Sequence, residues 1–238
     1  MLLYRRPTQI QAMTFDLDDT LYDNGPVIRR VETQLNKWMA QHHPLYTFQP
    51  SSWWLELKKE LVASDPALKH DVSLWRQRHL SQGLMRLGYS AEQASHAADD
   101  AMLQVMRWRS DFTVPSISHH TLQELSKRFP LVAITNGNVD ADKIGIGHYF
   151  QSVYKSGIDG RAKPWGDLFG KAQRDLSVPR HRILHIGDDL NSDVNGAKRA
   201  GYQACWLNNG RSSLFGERKA RSLPDIEIRT IDELLLLL

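Results

Sequence analysis

The chain has 238 residues, of which 41% are hydrophobic, and it carries a formal net charge of +3. This length accommodates one large domain or two smaller ones, and the apolar fraction is ample for a packed core. The basic residues are scattered rather than gathered in a stripe, so the composition does not indicate binding to nucleic acid. No apolar run is long enough to span a bilayer and no secretory signal pattern is evident, so we expect no membrane partner and a cytoplasmic location.

The first predicted strand is the short apolar run 10–15, which ends in closely spaced carboxylates. Asp16 and Asp18 follow its last apolar residue, and Asp19 and Thr20 come directly after them. Taken alone, such a run is more often a loop that caps the next helix, with Asp19 or Thr20 as the capping residue. Its meaning therefore depends on the polar clusters found later in the chain.

A long helical segment follows this strand. From about Gly25 to about Trp108 strand patterns are absent, and the apolar spacing predicts four helices. These helices span residues 27–40, 53–63, 72–87 and 91–107. The helix breakers of Asn24-Gly25-Pro26 mark the beginning of the segment clearly. Its end, near Ser110-Asp111-Phe112, is less clearly marked. We predict an all-helical cap domain, residues 23–111, inserted into a core made of residues 1–22 and 112–238.

Helices and strands alternate in the remainder of the chain. The predicted helices are 122–129, 165–176, 193–200 and a closing helix 230–238, and the predicted strands are 131–134, 183–186 and 204–207. Residues 208–213 form a loop by composition. Such alternation is typical of a doubly wound, Rossmann-like α/β fold with a parallel sheet, in which ligands bind outside the carboxyl ends of the strands.

Polar clusters follow two further predicted strands. Thr135-Asn136-Gly137 comes directly after 131–134, and a run that contains Asp188, Asp189 and Asp193 comes directly after 183–186. Lys163 lies between these clusters and precedes a proline. In isolation the first cluster is an ordinary turn and Lys163 a solvated surface residue. Together with the first strand end, however, they predict a phosphate-processing site.

In kind and order, these segments resemble the four motifs of the haloacid dehalogenase superfamily. Asp16 matches the family nucleophile and Asp18 the acid/base; Thr135 matches the hydroxyl of the second motif, Lys163 the lysine of the third, and Asp188 the metal ligand of the fourth. The resemblance extends over essentially the whole chain. The sequences of residues 12–24, 132–138 and 203–206 are similar to those of bacterial phosphatases of this superfamily that act on flavin mononucleotide.

The resemblance implies a Mg²⁺ site and a two-step hydrolysis. The carboxylates of Asp16 and Asp188 and the main-chain carbonyl of Asp18 are the expected metal ligands. Asp16 is expected to attack phosphorus while Asp18 protonates the leaving alcohol. Thr135, the backbone N–H of Asn136 and Lys163 are expected to hold the phosphoryl group. Either Asp189 or Asp193 is expected to orient the metal waters or Lys163, with Asp193 favoured.

Several activities remain compatible with these residues. The family's dehalogenases and phosphonatases lack an aspartate at the position of Asp18, so a phosphatase acting on a small phosphorylated metabolite is favoured. The resemblance to the bacterial flavin mononucleotide phosphatases implies flavin mononucleotide and the phosphorylated ribitylaminouracil of riboflavin synthesis as substrates. Five of the seven tryptophans lie in the helical segment, where one or two of them would stack on a planar ring. Other phosphometabolites, a sugar phosphomutase activity and a non-enzymatic role in binding a phosphometabolite or a protein remain alternatives.

Overall fold

A seven-stranded, mostly parallel sheet runs through the computed structural model, which describes residues 1–210, 214 and 221–238. The strand order is β1-β7-β6-β5-β2-β3-β4, and the β1–β7 pair alone is antiparallel among the pairs of this sheet. The strands are β1 (Leu2–Leu3), β2 (Ala12–Phe15), β3 (Leu131–Thr135), β4 (Ser152–Lys155), β5 (Ile183–Gly187), β6 (Gln203–Leu207) and β7 (Ile226–Ile228). The predicted α/β class is confirmed.

The central strands are those that the sequence predicts. β2, β3, β5 and β6 are buried at every position, so they appear in the sequence as largely apolar runs, with Thr14 inside β2 and His185 inside β5. The other three strands were not predicted: β1 and β7 are only two and three residues long, and β4 is half-buried along its whole length. The predicted run 10–15 is shortened to β2 and is the second strand of the chain.

The topology places a crevice at β2. From β2 the chain moves outward through β3 to β4, and then returns to the other side of β2 as β5 before moving through β6 to β7. The direction of winding therefore reverses between β2 and β5, and ligands of such sheets bind at the carboxyl ends of the strands at this reversal. Asp16 directly follows β2, and Asp188 directly follows β5.

Two compact units make up the fold, one of residues 1–24 with 113–238 and the other of residues 25–112. The first unit contains the sheet and α5 (Ser116–Ser126), α6 (Asp167–Leu176) and α7 (Gly196–Arg199). The predicted helix 193–200 is instead a π-helical turn, Leu190–Asn195, that continues into α7. The predicted closing helix is a 3₁₀ helix, Ile231–Leu237. Residues 211–213 of the predicted loop lie outside the described residues.

The second unit is helical. It consists of α1 (Asn24–His42), whose first residue belongs to the other unit, α2 (Ser51–Ser64), α3 (Val72–Arg86) and α4 (Ala91–Arg109). The buried residues of α1 recur every four positions, as one face of a helix requires, and pack with those of α3 and α4. A capping box between Ser90 and Gln93 begins α4. Across the described residues, no helix combines the length and the apolar character needed to cross a membrane.

Candidate active site

A buried lysine joins two aspartates at the carboxyl end of the sheet. The Nζ atom of Lys163 donates to Oδ1 of Asp16 at 2.7 Å and to Oδ1 of Asp193 at 2.6 Å. All three side chains are buried. Because charged groups are removed from water here, the arrangement is stable only while the opposite charges remain in contact. The lysine that the sequence leaves open as a surface residue is therefore the cation of an internal ion-pair cluster.

The two aspartates that share this lysine respond to it differently. Burial raises the pKa of Asp16 well above its usual value, and the attraction of Lys163 offsets this only in part. Burial alone would raise the pKa of Asp193 as well, but Lys163 and a hydrogen bond from His185 outweigh it and leave that pKa below the usual value. Burial would lower the pKa of Lys163, but the two carboxylates raise it instead. Asp193 is thus stabilised in its ionised form, whereas burial disfavours the ionised form of Asp16.

His185 extends the cluster into the sheet. It lies opposite Thr14 in the register of β5 and β2, with Nδ1 2.9 Å from the Thr14 hydroxyl and Nε2 3.1 Å from Oδ1 of Asp193. Burial lowers the pKa of His185, so its imidazole is neutral and carries one N–H. Since the ionised Asp193 can only accept, we assign the hydrogen to Nε2, and the Thr14 hydroxyl then donates to Nδ1. The imidazole of His185 therefore holds the Asp193 carboxylate in place, and that carboxylate in turn holds Lys163.

Asp188 adds a third carboxylate beside this cluster. Among the described residues, Asp16, Asp188 and Asp193 offer carboxylate oxygens that lie within 4.8 Å of one another. Burial raises the pKa of Asp188 to about 7, with further contributions from the negative charges of Asp193, Asp19 and Asp189. A single lysine among these carboxylates leaves excess negative charge, which a divalent cation would neutralise.

The residues present fit a hard cation. Asp193 has both oxygens engaged, Oδ1 with Lys163 and His185 and Oδ2 with the backbone N–H of Asp189 at 3.0 Å. Asp16 and Asp188 are therefore the members of the group best able to offer oxygens to a metal. Oxygen ligands of this kind are the ones that Mg²⁺ and Ca²⁺ take in proteins.

Asp189 has a local structural role. Its Oδ1 atom accepts from the backbone N–H groups of Asn191 and Ser192 and so caps the π-helical turn that follows. That turn brings Asp193 back against Gly187, where a Cβ added to the glycine would lie 2.2 Å from the Asp193 carboxyl carbon. The close approach explains why glycine occupies the last position of β5.

The turn after β3 offers a hydroxyl and ties down the lysine segment. Thr135 is buried, and its Oγ1 atom accepts from the N–H of Gly137 at 2.9 Å, a bond that does not use the hydroxyl hydrogen. The side-chain amide of Asn136 clamps the main chain of Lys163, accepting from its N–H at 2.7 Å and donating to its carbonyl at 3.0 Å. Asn136 therefore holds the lysine in place from the neighbouring strand end.

Asp18 reaches the same turn from the other side. Its Oδ1 atom accepts from the Tyr22 hydroxyl at 2.7 Å. Its Oδ2 atom lies so close to Gly137 that a Cβ there would come within 2.2 Å of it. The carboxylate of Asp18 and the hydroxyl of Thr135 thus lie next to each other at one turn.

The structure brings together all the residues that the sequence proposes for the site, and it adds others. Tyr22 and His185 contact the proposed residues but were not proposed themselves. A histidine inside an otherwise apolar strand, as in Ile183-Leu184-His185-Ile186, is a usable signal, because a polar group in a buried strand needs a partner. Nothing in the sequence points to the contact between Tyr22 and Asp18.

Comparisons with known proteins cover nearly the whole chain. A family model described as haloacid dehalogenase-like hydrolase matches residues 10–201. The chain is 43% identical over 235 residues to the 5-amino-6-(5-phospho-D-ribitylamino)uracil phosphatase YigB of Escherichia coli strain K12. The alignment covers 98% of each of the two chains. It is 26% identical over 231 residues to a glyceraldehyde 3-phosphate phosphatase of Methanopyrus kandleri, which covers 95% of this chain and 96% of the relative.

One solved structure is similar in both fold and sequence. It is described as a 2-haloacid dehalogenase from Pseudomonas syringae pv. tomato DC3000, and it superimposes with a TM-score of 0.89 at 33% identity. The superposition covers 96% of this chain and 98% of the other. The likeness therefore includes the helical unit as well as the sheet.

Proposed function

The chain belongs to the haloacid dehalogenase-like hydrolases and is a phosphatase of that family, and we propose that it hydrolyses flavin mononucleotide or the phosphorylated ribitylaminouracil of riboflavin synthesis through a phosphorylated Asp16. The observation that carries the catalytic part is the contact of Lys163 with Asp16 at the reversal of the sheet. The substrate part rests on the 43% identity to the Escherichia coli enzyme.

Asp16 is the nucleophile of the proposed reaction. A phosphate monoester is anionic, so a carboxylate can attack its phosphorus only where the charges of both are neutralised and the two atoms are held in line. Lys163 supplies one positive charge at Oδ1 of Asp16. Mg²⁺, held by Asp16, Asp188 and the main-chain carbonyl of Asp18, would supply further positive charge to the phosphoryl group when bound.

The phosphoryl group is held by the turn after β3. The Thr135 hydroxyl donates to one phosphoryl oxygen, and the backbone N–H of Asn136 donates to another. The side chain of Asn136 keeps Lys163 beside them through its two hydrogen bonds. Asp193 acts through Lys163 and not on the substrate, which fits its contacts at 2.6 Å and 3.1 Å.

Asp18 carries the proton in both steps. Its carboxyl group protonates the leaving alcohol as the bond between phosphorus and that oxygen breaks. In the second step it takes a proton from the water that attacks phosphorus, while the bond between phosphorus and Asp16 breaks and phosphate is released. The position of Oδ2 against Gly137, at the turn that holds the phosphoryl group, supports this assignment.

Phosphate release from a substrate panel tests the proposal. The panel contains flavin mononucleotide, the ribitylaminouracil phosphate, sugar phosphates and nucleotides, each with and without Mg²⁺, for the wild type and for Asp16→Asn. We expect release that needs both Mg²⁺ and Asp16, with the highest kcat/KM for one of the two flavin-pathway esters. A higher value for a sugar phosphate would overturn the substrate assignment. Isomerisation of a sugar phosphate without release would favour a mutase, and silence across the panel would favour a binding role.

Dehalogenation is the second candidate, because the Pseudomonas syringae structure is described as a 2-haloacid dehalogenase. Displacement of a halide needs a carboxylate nucleophile but no acid for the leaving group, so that reaction would leave Asp18 without a task. The panel therefore includes 2-chloropropionate with detection of chloride. Chloride release that exceeds phosphate release in kcat/KM would reverse the choice between the two activities.

We expect Gly137→Ala to impair catalysis while leaving the fold intact. The added Cβ would lie 2.2 Å from Oδ2 of Asp18, so the carboxylate must shift from its position at the phosphate-binding turn. We expect kcat/KM to fall about 100-fold, the size of a lost general acid. Gly166→Ala is the matched control, because a Cβ there meets nothing within 4 Å. Equal kcat/KM in the two variants would contradict the position assigned to Asp18.

We expect Asp188→Asn to weaken metal binding. The substitution removes one anionic oxygen of the pair that fits a cation, and calorimetric titration with Mg²⁺ in the absence of substrate measures the effect. A loss of at least about tenfold in affinity is expected. Asp175→Asn is the control, since Asp175 is exposed and bonds to Ser152 and Tyr154 of β4. Unchanged affinity in Asp188→Asn would remove Asp188 from the metal site.

Substitutions of the tryptophans in the helical unit test whether one of them stacks on a planar substrate. Trp54 is buried and packs against Tyr46 and His79, so it serves the helical core. Four others are half-buried and are candidates for stacking: Trp38, Trp53, Trp75 and Trp108. We expect at least one Trp→Leu change among the four to raise KM for flavin mononucleotide several-fold more than KM for a small sugar phosphate. Equal effects on both substrates for all four would rule out stacking on a ring.

A further inference from the structure

We propose that Tyr22 is a positioning residue that fixes the rotation of the Asp18 carboxyl group and so turns its Oδ2 atom toward the phosphate-binding turn, an inference that rests on the proposed phosphatase function. The two oxygens of the Asp18 carboxyl have different neighbours. Oδ1 accepts a hydrogen bond of 2.7 Å from the Tyr22 hydroxyl, whereas Oδ2 lies against Gly137.

The backbone between the two residues is built to bring them together. Residues 17–21 form a tight turn in which the Leu17 carbonyl accepts from the N–H groups of Thr20 and Leu21. Asp19 takes a left-handed conformation in this turn, with φ of 57°, which is unfavourable for a residue other than glycine. As a result Asp18 and Tyr22 pair across the turn, and the phenol ring returns to the carboxyl group.

The position of Tyr22 is fixed by burial and by its neighbours. Its side chain is largely buried, and the preceding carbonyl, that of Leu21, accepts a hydrogen bond of 2.6 Å from Ser118 of α5. A phenol in this place has little freedom to turn away from Asp18. The hydrogen bond therefore sets the rotation of the carboxyl group and not only its location.

The consequence for the reaction follows from where each oxygen lies. The hydrogen bond from Tyr22 holds Oδ1, so Oδ2 is the oxygen that faces the phosphate-binding turn. Oδ2 is also the oxygen next to Gly137 and Thr135, where the phosphoryl group is proposed to sit. As Asp16 forms its bond to phosphorus and the ester bond breaks, the Oδ2 proton passes to the departing oxygen and the alcohol leaves neutral. When water then attacks phosphorus, the bond between phosphorus and Asp16 breaks, phosphate leaves, and the Asp18 carboxylate takes one proton of that water at Oδ2.

The leaving group provides a test that a purely structural role would not affect. An alkyl phosphate such as flavin mononucleotide needs protonation of its departing oxygen, whereas 4-nitrophenyl phosphate releases a stable anion without it. We expect Tyr22→Phe to lower kcat/KM by about tenfold or more for flavin mononucleotide and by less than about threefold for 4-nitrophenyl phosphate. Tyr202→Phe is the matched control, because it removes a buried hydroxyl of the same unit that donates at 2.8 Å to the carbonyl of Phe169.

A second measurement uses Asp18→Asn as background. If Tyr22 acts through the carboxyl group, adding Tyr22→Phe to Asp18→Asn should lower kcat/KM no further. Equal losses for both substrates, or additive losses in the double variant, would overturn the inference. Neither result affects the proposed function, which fails instead if the wild type releases no phosphate from any ester in the presence of Mg²⁺.

Discussion

Asp16→Asn is expected to abolish hydrolysis while preserving or increasing stability. The amide cannot attack phosphorus, and loss of a nucleophile removes the covalent route entirely, so kcat should fall by at least about 1000-fold. Stability should respond in the opposite sense. Because burial raises the pKa of Asp16, the folded protein disfavours its ionised form at neutral pH, and a neutral amide relieves that cost.

Phosphate release and thermal unfolding, both followed in parallel, check this pair of effects. Unfolding is measured without divalent metal, so that metal binding does not contribute to Tm. We expect Tm of Asp16→Asn to equal or exceed that of the wild type. Asp175→Asn, an exposed change in α6, should alter neither quantity. A fall of Tm together with activity would show that Asp16 serves the fold rather than the chemistry.

Lys163→Met is expected to cost both stability and activity. The substitution leaves Asp16 and Asp193 buried next to each other without the cation that contacts both at 2.7 Å and 2.6 Å. Removing one partner from a buried ion pair costs about 3–5 kcal/mol. For a protein of this size we expect Tm to fall by roughly 10 °C. Hydrolysis should be lost as well, because the charge beside the nucleophile disappears.

Two further variants separate electrostatics from packing. Lys127→Met removes an exposed lysine paired with Glu124 and should leave Tm unchanged. Combining Lys163→Met with Asp193→Asn removes one of the two unpaired charges and should recover part of the lost Tm, but no activity. If the double variant is no more stable than Lys163→Met alone, the loss comes from packing and not from charge.

The sequence predicts the central strands and the polar residues at their ends well, for one physical reason. β2, β3 and β5 are buried on both faces, so each is a largely apolar run that stops where the chain reaches the rim of the sheet. The polar residues that follow must then lie at that rim. By contrast, β1, β4 and β7 bury too few residues to stand out from the surrounding chain, and their pairing depends on neighbours that are distant in sequence.

The contacts within the site are less predictable, because they depend on side-chain distances. The separate tasks of Asp189 and Asp193 follow from the π-helical turn, which the sequence presents as an ordinary helix. The hydrogen bond of Tyr22 to Asp18 depends on the left-handed conformation of Asp19. Aspartate adopts this conformation more often than most residues do, but that preference does not single out Asp19 among the aspartates of the chain. The cluster of Lys163 with both aspartates could be anticipated only through the family resemblance.

Identification of the phosphorylated residue tests the central claim most directly. The enzyme is mixed with flavin mononucleotide and Mg²⁺, quenched in acid during turnover, digested and analysed by mass spectrometry. We expect one phosphoryl group on the peptide that contains Asp16, formed and lost at the rate of phosphate release, and none in Asp16→Asn. Turnover without a phosphorylated peptide, or with the phosphoryl group on another residue, would contradict the proposed mechanism.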